Sequence, residues 1–344
     1  MEILDKYKKI MYNHFTVEVV DNILNKWNEP HRYYHNINHL SSMLKQIDDY
    51  FLSDENEYLY MGEIYEDFII AAFLHDVIYD PKANNNEEKS NEYFISLANR
   101  DTLGQNLQIV VGLIMCTKER QLPSDKYQSI FWSMDNNILI NGTIDELIEY
   151  ENNIFKEFQF AKYEVYKAKR LDFLNSMMTY FNEIGIKNNI TSLISYIQTR
   201  KIKVGIYSGT FNPFHLGHLD ILMKSSNIFD KVIIAYGSNP DKNERVIDVP
   251  RALNYYQVDT FLGLITDYIK SVENKNVDVT LIRGLRNGAD LDYESNQLSF
   301  IKDIKPDTKI VYIPCNKELE HISSSAIRNL MKFDIELASK YIVK

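Results

Sequence analysis

The sequence predicts two domains: an all-α domain over residues 1–196 and an α/β domain with a parallel sheet over residues 201–344. Three observations predict this. Up to about residue 196, apolar residues recur at helical spacing, with few β-branched runs and few glycines. From residue 201, short β-rich runs alternate with helical ones. The 344 residues are enough for each half to bury its own core, and no proline- or serine-rich linker interrupts the boundary region TSLISYIQTRK at 191–201.

Taken in order, VEVVDNILNKW, SSMLKQIDDYFL, EDFIIAAFLHDVIY and LDFLNSMMTYF read as the helices of the first half. The run FIIAAFL at 68–74 is apolar all round but far short of a membrane span. It reads as a buried helix. In the second half, KVGIYSG, KVIIAYG, VDVTLIRG and KIVYIP read as strands, with LDILMKSSNIF and further helical stretches between them. Strands alternating with helices imply a parallel sheet covered on both faces.

Composition narrows the function classes. A net charge of −10 argues against a protein that coats nucleic acid, because backbone phosphates call for a basic face. No membrane segment is expected. The N-terminus lacks a secretory signal pattern, and Cys116 and Cys315 lie far apart in sequence, so a cytoplasmic setting is expected.

Two motif clusters carry chemistry. The stretch GTFNPFHLGHLDIL at 209–222 places His215 and His218 three apart, after a strand ending at Gly209 and before a helical pattern starting near Leu219. Unpaired N–H groups and the helix dipole favour an anion there, and two imidazoles could donate further hydrogen bonds to it. An isolated HxxH is more often one packed histidine and one surface histidine; the strand before, the Gly217 turn and the helix after favour phosphate. Lys242 in NPDKNER, taken alone, reads as a solvated lysine, RGLR as a surface pair and SSSAIR as an ordinary helix cap.

Together GTFNPFHLGH, LIRGLRNGADLDYE at 281–294 and HISSSAIR at 321–328 resemble the HxGH nucleotidyltransferase superfamily, and within it the phosphopantetheine adenylyltransferases, over residues 202–335. The resemblance implies a Rossmann-like nucleotidyltransferase domain that transfers AMP from ATP to a small phosphorylated acceptor. That acceptor is expected to be 4′-phosphopantetheine, giving dephospho-CoA and pyrophosphate. It implies catalytic roles for His218, Lys242 and Arg286, and ATP or acceptor contacts at Thr210, Phe211, His215, Arg283, Gly284, Glu294, Ser323, Ser324, Ser325 and Arg328. Mg2+ is expected beside the leaving pyrophosphate, and a homo-oligomer is expected by analogy. The physics agrees: the acceptor is already an oxyanion, so cations and donors rather than a strong base must lower the barrier. His215 stands where the family more often has threonine, a form shared with the nicotinate and nicotinamide mononucleotide adenylyltransferases, and residues 243–269 fit the family's middle poorly. An NAD-forming activity is therefore the alternative.

In the first half, HRYYHNINHL at 31–40, FLHDVIYDP at 73–81 and SMDNNILING at 133–142 resemble the HD superfamily of metal-dependent phosphohydrolases. The resemblance implies that His39, His75, Asp76 and Asp135 hold a divalent transition metal such as Mn2+, Fe2+, Co2+ or Zn2+, with His35 as general acid, to hydrolyse a phosphate ester or nucleotide. Glu87 and Glu88 read equally as outer ligands or as acids at a helix start. Lys118 and Arg120 stand where the HD group often carries histidines, which favours one metal over two. A further alternative is a hydrolase regulated by a non-catalytic, nucleotide-binding C-terminal module.

Overall fold

The computed structural model describes residues 2–52, 63–97, 106–185, 188–238 and 248–344. Lys242 lies outside the described residues. The chain forms two compact units, residues 1–157 with 167–198, and residues 158–166 with 199–344.

The first unit is helical: α1 (Glu2–His14), α2 (Val17–Trp27), α3 (Ile37–Phe51), α4 (Glu63–Leu74), α5 (Asn86–Leu97), α6 (Asn106–Cys116), α7 (Lys126–Asp135), α8 (Asn137–Asn141), α9 (Ile144–Glu157), most of α10 (Tyr163–Glu183) and nearly all of α11 (Ile190–Thr199). The apolar run in α4 is what its composition demands, since Phe68 through Leu74 are all fully buried. Caps are supplied by short polar side chains: Asn36 Oδ1 accepts from the Asn38 N–H at 2.8 Å to start α3, and Asp125 accepts from Tyr127 and Gln128 to start α7. No described helix is long and apolar enough to cross a membrane.

The second unit contains β1 (Ile202–Gly209), α12 (Leu216–Ser226), β2 (Lys231–Ser238), β3 (Gln257–Leu262), α13 (Ile265–Val272), β4 (Val277–Leu285), α14 (Gly288–Ile304), β5 (Lys309–Pro314), α15 (Ser324–Leu330) and α16 (Ile335–Ser339). The five strands form one parallel sheet in the order β3-β2-β1-β4-β5. Strand β3 falls in a stretch expected to be helical; it is an edge strand with only Gln257 buried, so it lacks the apolar run that marks the central strands. Gly205 in β1 is where the sheet needs a glycine, because a Cβ would come within 2.4 Å of Ile282 Cδ1 and 2.7 Å of the Phe229 ring. Residues 158–166 join this unit through buried Lys231, whose ammonium donates to the carbonyls of Gln159 and Ala161, the latter at 2.9 Å. The chain turns to one side of β1 for β2 and β3 and to the other for β4 and β5, so a crevice opens at the carboxyl ends of β1 and β4.

Candidate functional site

That crevice is a cleft of about 320 Å³. Into it the fold brings Phe211, His215, His218, Arg283, Gly284, Arg286, Glu294, Ser323, Ser324 and Ser325, from segments spread over more than a hundred residues of sequence. Thr210 and Arg328 are not among its lining residues. Thr210 is exposed at the end of β1, and Arg328 reaches back to the Asn212 carbonyl and to Ser325 Oγ, bracing the turn from outside.

The turn between β1 and α12 positions the histidines. Helix α12 begins at Leu216, earlier than its apolar pattern suggests, with His215 as N-cap and His218 in the first turn. The His215 backbone N–H donates to His218 Nδ1 at 3.2 Å, and the two rings stack with centroids 3.6 Å apart. Gly217 permits the stack, because a Cβ there would come within 3.2 Å of the His215 ring. Burial, followed by the Arg286 charge, pushes the His215 imidazole down to about 4. Burial, then His215 and Arg286, lower His218 well below its ordinary value. His218 is therefore neutral near pH 7. With Nδ1 accepting, its proton sits on Nε2 as a donor. His215 Nδ1 is buried without a hydrogen-bond partner.

The last residues of the chain hold this turn: the Leu216 N–H donates to the Tyr341 carbonyl at 3.0 Å, and the Val343 N–H to the Phe214 carbonyl at 3.2 Å. Ser324 Oγ donates to the Pro213 carbonyl at 3.0 Å, and Ser323 caps α15 by accepting from the Ala326 N–H at 3.1 Å. With Ser325 Oγ accepting from Arg328, all three serine hydroxyls are thus engaged in bracing the site.

Both cleft arginines are paired with acids of α14. Arg283 lies 3.2 Å from Glu294 and donates to Ser208 Oγ at 3.2 Å. Arg286 donates through Nε and Nη2 to the two oxygens of Asp290, each at 2.8 Å, and its backbone N–H donates to the same carboxylate at 3.0 Å. Asp290 lies within the LIRGLRNGADLDYE stretch, and its (i, i+4) spacing from Arg286 is the sequence signal for this pairing.

In the helical unit a second cluster forms. His39, His75 and Asp76 offer ligand atoms that all lie within 4.8 Å of one another. Asp135 Oδ1 approaches His39 Nε2 at 3.1 Å and His75 Nε2 at 3.6 Å. The His–Asp pair does not lie on a helix: α4 ends at Leu74, and His75 and Asp76 occupy the turn beyond it, which lets adjacent side chains face one point. His75 Nδ1 lies 2.9 Å from the Ala72 carbonyl, so it donates there and turns Nε2 into the cluster. Burial opposes charge on His75, but Asp76 and Asp135 override it and lift the imidazole to about 10. Two imidazole nitrogens 3.3 Å apart beside two carboxylates form a donor set suited to a divalent transition metal.

His35 lies in the loop just before the Asn36 cap of α3. Glu157 has a fully buried side chain; one oxygen accepts from the backbone N–H groups of Tyr33, Tyr34 and His35 at 2.7–2.9 Å, and the other accepts from His35 Nδ1 at 2.7 Å and Tyr79 OH at 2.6 Å. Burial works to raise the Glu157 carboxyl, yet His35 and these donors hold it at about 2. Burial likewise disfavours His35 charging, and Glu157 reverses it, so His35 sits above its ordinary value. Arg32, with no exposed side chain, donates to the carbonyls of His35, Asp76 and Val77, welding the two loops together. A cleft of about 240 Å³ beside the cluster is lined by His35, Asp135, Glu87, Lys118 and Arg120. Lys118 is paired with Glu88, and Arg120 lies over the Phe173 ring.

Comparison with known proteins concerns the second unit. Residues 206–330 match the cytidylyltransferase-like family. A phosphopantetheine adenylyltransferase of Alkaliphilus metalliredigens is 34% identical over 141 residues, covering 38% of this chain and 87% of that protein. Enzymes of the same name from Cytophaga hutchinsonii and Streptococcus equi subsp. zooepidemicus are each 34% identical, over 91% and 82% of their lengths and 38% of this chain.

Proposed function

Since this chain belongs, through its second unit, to the phosphopantetheine adenylyltransferase family, we propose that it transfers the adenylyl group of ATP to 4′-phosphopantetheine. A phosphate oxygen of the acceptor attacks the α-phosphorus of ATP, the bond to the bridging oxygen breaks, and pyrophosphate leaves with the electron pair. No proton need be removed from the nucleophile. The observation that carries the reading is the meeting of a neutral, Nε2-protonated His218 with Arg283 and Arg286 in one cleft at the carboxyl ends of β1 and β4. A neutral donor strengthens its hydrogen bond as charge grows on the α-phosphate oxygens. The arginines offer planar forks to the outer phosphates. Both acids lining the cleft are engaged by arginine, so these residues offer no spare carboxylate pair for magnesium.

The test is pyrophosphate release with magnesium and ATP, offering 4′-phosphopantetheine and nicotinamide mononucleotide in parallel. Release is expected only with phosphopantetheine and falls about 100- to 1,000-fold in His218→Ala, the cost of one lost transition-state donor. Release only with the mononucleotide would overturn the choice of acceptor.

A second reading concerns the helical unit, and the four-residue His/Asp cluster favours it: a metal-dependent phosphohydrolase. His39, His75, Asp76 and Asp135 would hold the ion, which when bound would polarise water and a phosphoryl group. His35, fixed by Glu157 and made more basic by it, would give a proton to the leaving oxygen. The expected result is a stoichiometric transition metal in the purified protein, lost in His75→Ala together with phosphate-ester hydrolysis but without loss of adenylyl transfer.

A further inference from the structure

We propose that Asp290 is a positioning residue for adenylyl transfer, acting only through Arg286; the inference rests on the transferase reading above. A guanidinium on a long side chain can present any of its edges. Here Nε and Nη2 are both taken by the Asp290 oxygens at 2.8 Å, and the backbone N–H of Arg286 at 3.0 Å ties the same carboxylate to the same residue. The remaining edge, carrying Nη1, is the one left for a phosphate. Arg286 and Asp290 both line the cleft, and Arg286 stands close enough to His215 and His218 to lower the basicity of both rings. Asp290 is itself anchored: it lies in the first turn of α14, its N–H donating to the Asn287 N-cap oxygen at 3.2 Å. The clamp is therefore built on a helix start and not on a free loop. Asp290 thus fixes the edge of Arg286 that meets the leaving phosphates, and removal of either oxygen or of its charge frees the fork to rotate.

A carboxylate in the first turn could instead serve only the helix, through its dipole. A double-mutant cycle separates the two. Pyrophosphate affinity, by calorimetry without any acceptor, and kcat and KM for ATP are measured in the full-length chain for Asp290→Asn, Arg286→Ala and the double variant. Asp290→Glu, which keeps the charge but moves it by a methylene, replaces Asp290→Asn if that variant melts early. The expected result is an order of 10- to 100-fold loss in kcat/KM for Asp290→Asn, the scale of a misplaced catalytic group. Pyrophosphate binding weakens with it, and Asp290→Asn has no further effect in the Arg286→Ala background. Losses that add in the double variant would make Asp290 a helix cap and overturn the proposal, as would an Arg286→Ala variant with unchanged pyrophosphate affinity. Failure of the transferase reading shows separately, as absence of phosphopantetheine-dependent turnover in the unsubstituted protein while the binding cycle still holds.

Discussion

His218 owes its useful proton to a backbone group. The His215 N–H occupies Nδ1, leaving Nε2 as the donor, and the same contact opposes a second proton because Nδ1 has no free lone pair. Both stacked imidazoles bind protons less readily in the folded unit than in an unfolded chain. The unfolded state therefore takes up more protons as pH falls below about 6.5, so folding stability drops with falling pH, through the value of about 4 for His215. Amide protection factors in β1 and β2, corrected for the slower intrinsic exchange in acid, should fall between pH 6.5 and pH 4, and His215→Gln should flatten that dependence. An unchanged slope would mean that the rings are solvated. The two histidines and two arginines were legible as residues because their motifs are local. Their partners were harder to see: Asp290 sits within the same motif as its arginine, but Glu157 is 122 residues from His35, and no local spacing announces a contact of that range.

At the scale of elements, loops are held by buried charge where they cannot be held by apolar packing. Glu157, at the end of α9, satisfies three successive backbone donors of the loop before α3. Removing it leaves those donors, His35 Nδ1 and the Tyr79 hydroxyl without their acceptor, which costs about 3–5 kcal/mol for a broken buried pair. Both tryptophans, Trp27 and Trp132, belong to the helical unit, so the fluorescence midpoint in urea reports on that unit alone. Glu157→Ala should lower it strongly and Glu157→Gln less. A midpoint unchanged in Glu157→Ala would show that water replaces the carboxylate at no cost. The same physics explains which elements were readable. Central strands β1 and β2 carry consecutive buried residues and stand out in the sequence, and β4 opens on an apolar alternation, whereas edge strand β3 buries only Gln257 and its sequence reads as helix. The start of α12 was placed late because its first turn is made of a histidine-glycine-histidine stretch, chosen for the site and not for helix propensity.

Across the whole molecule, the change of texture near residue 200 was legible, because helical and strand periodicities differ. The return of residues 158–166 to the second unit was not. Nothing in QFAKYE marks it, and its anchor, Lys231, looks in sequence like the polar first residue of a strand. In the fold that lysine is 1% exposed, and its ammonium donates to two carbonyls of this segment. A fragment of residues 199–344 would thus strand a buried ammonium, and it should unfold at a lower temperature than one of residues 158–344, by calorimetry; equal melting temperatures would show that Lys231 finds water instead.

That one lysine also bears on how the gene can be cut and pasted. A cassette swapped at residue 199 would carry the cleft but leave behind the nine residues that hold Lys231 at the amino end of β2. The α/β unit is thus a discontinuous inheritance, and exchange with a free-standing relative would have to splice at two places in the reading frame rather than one.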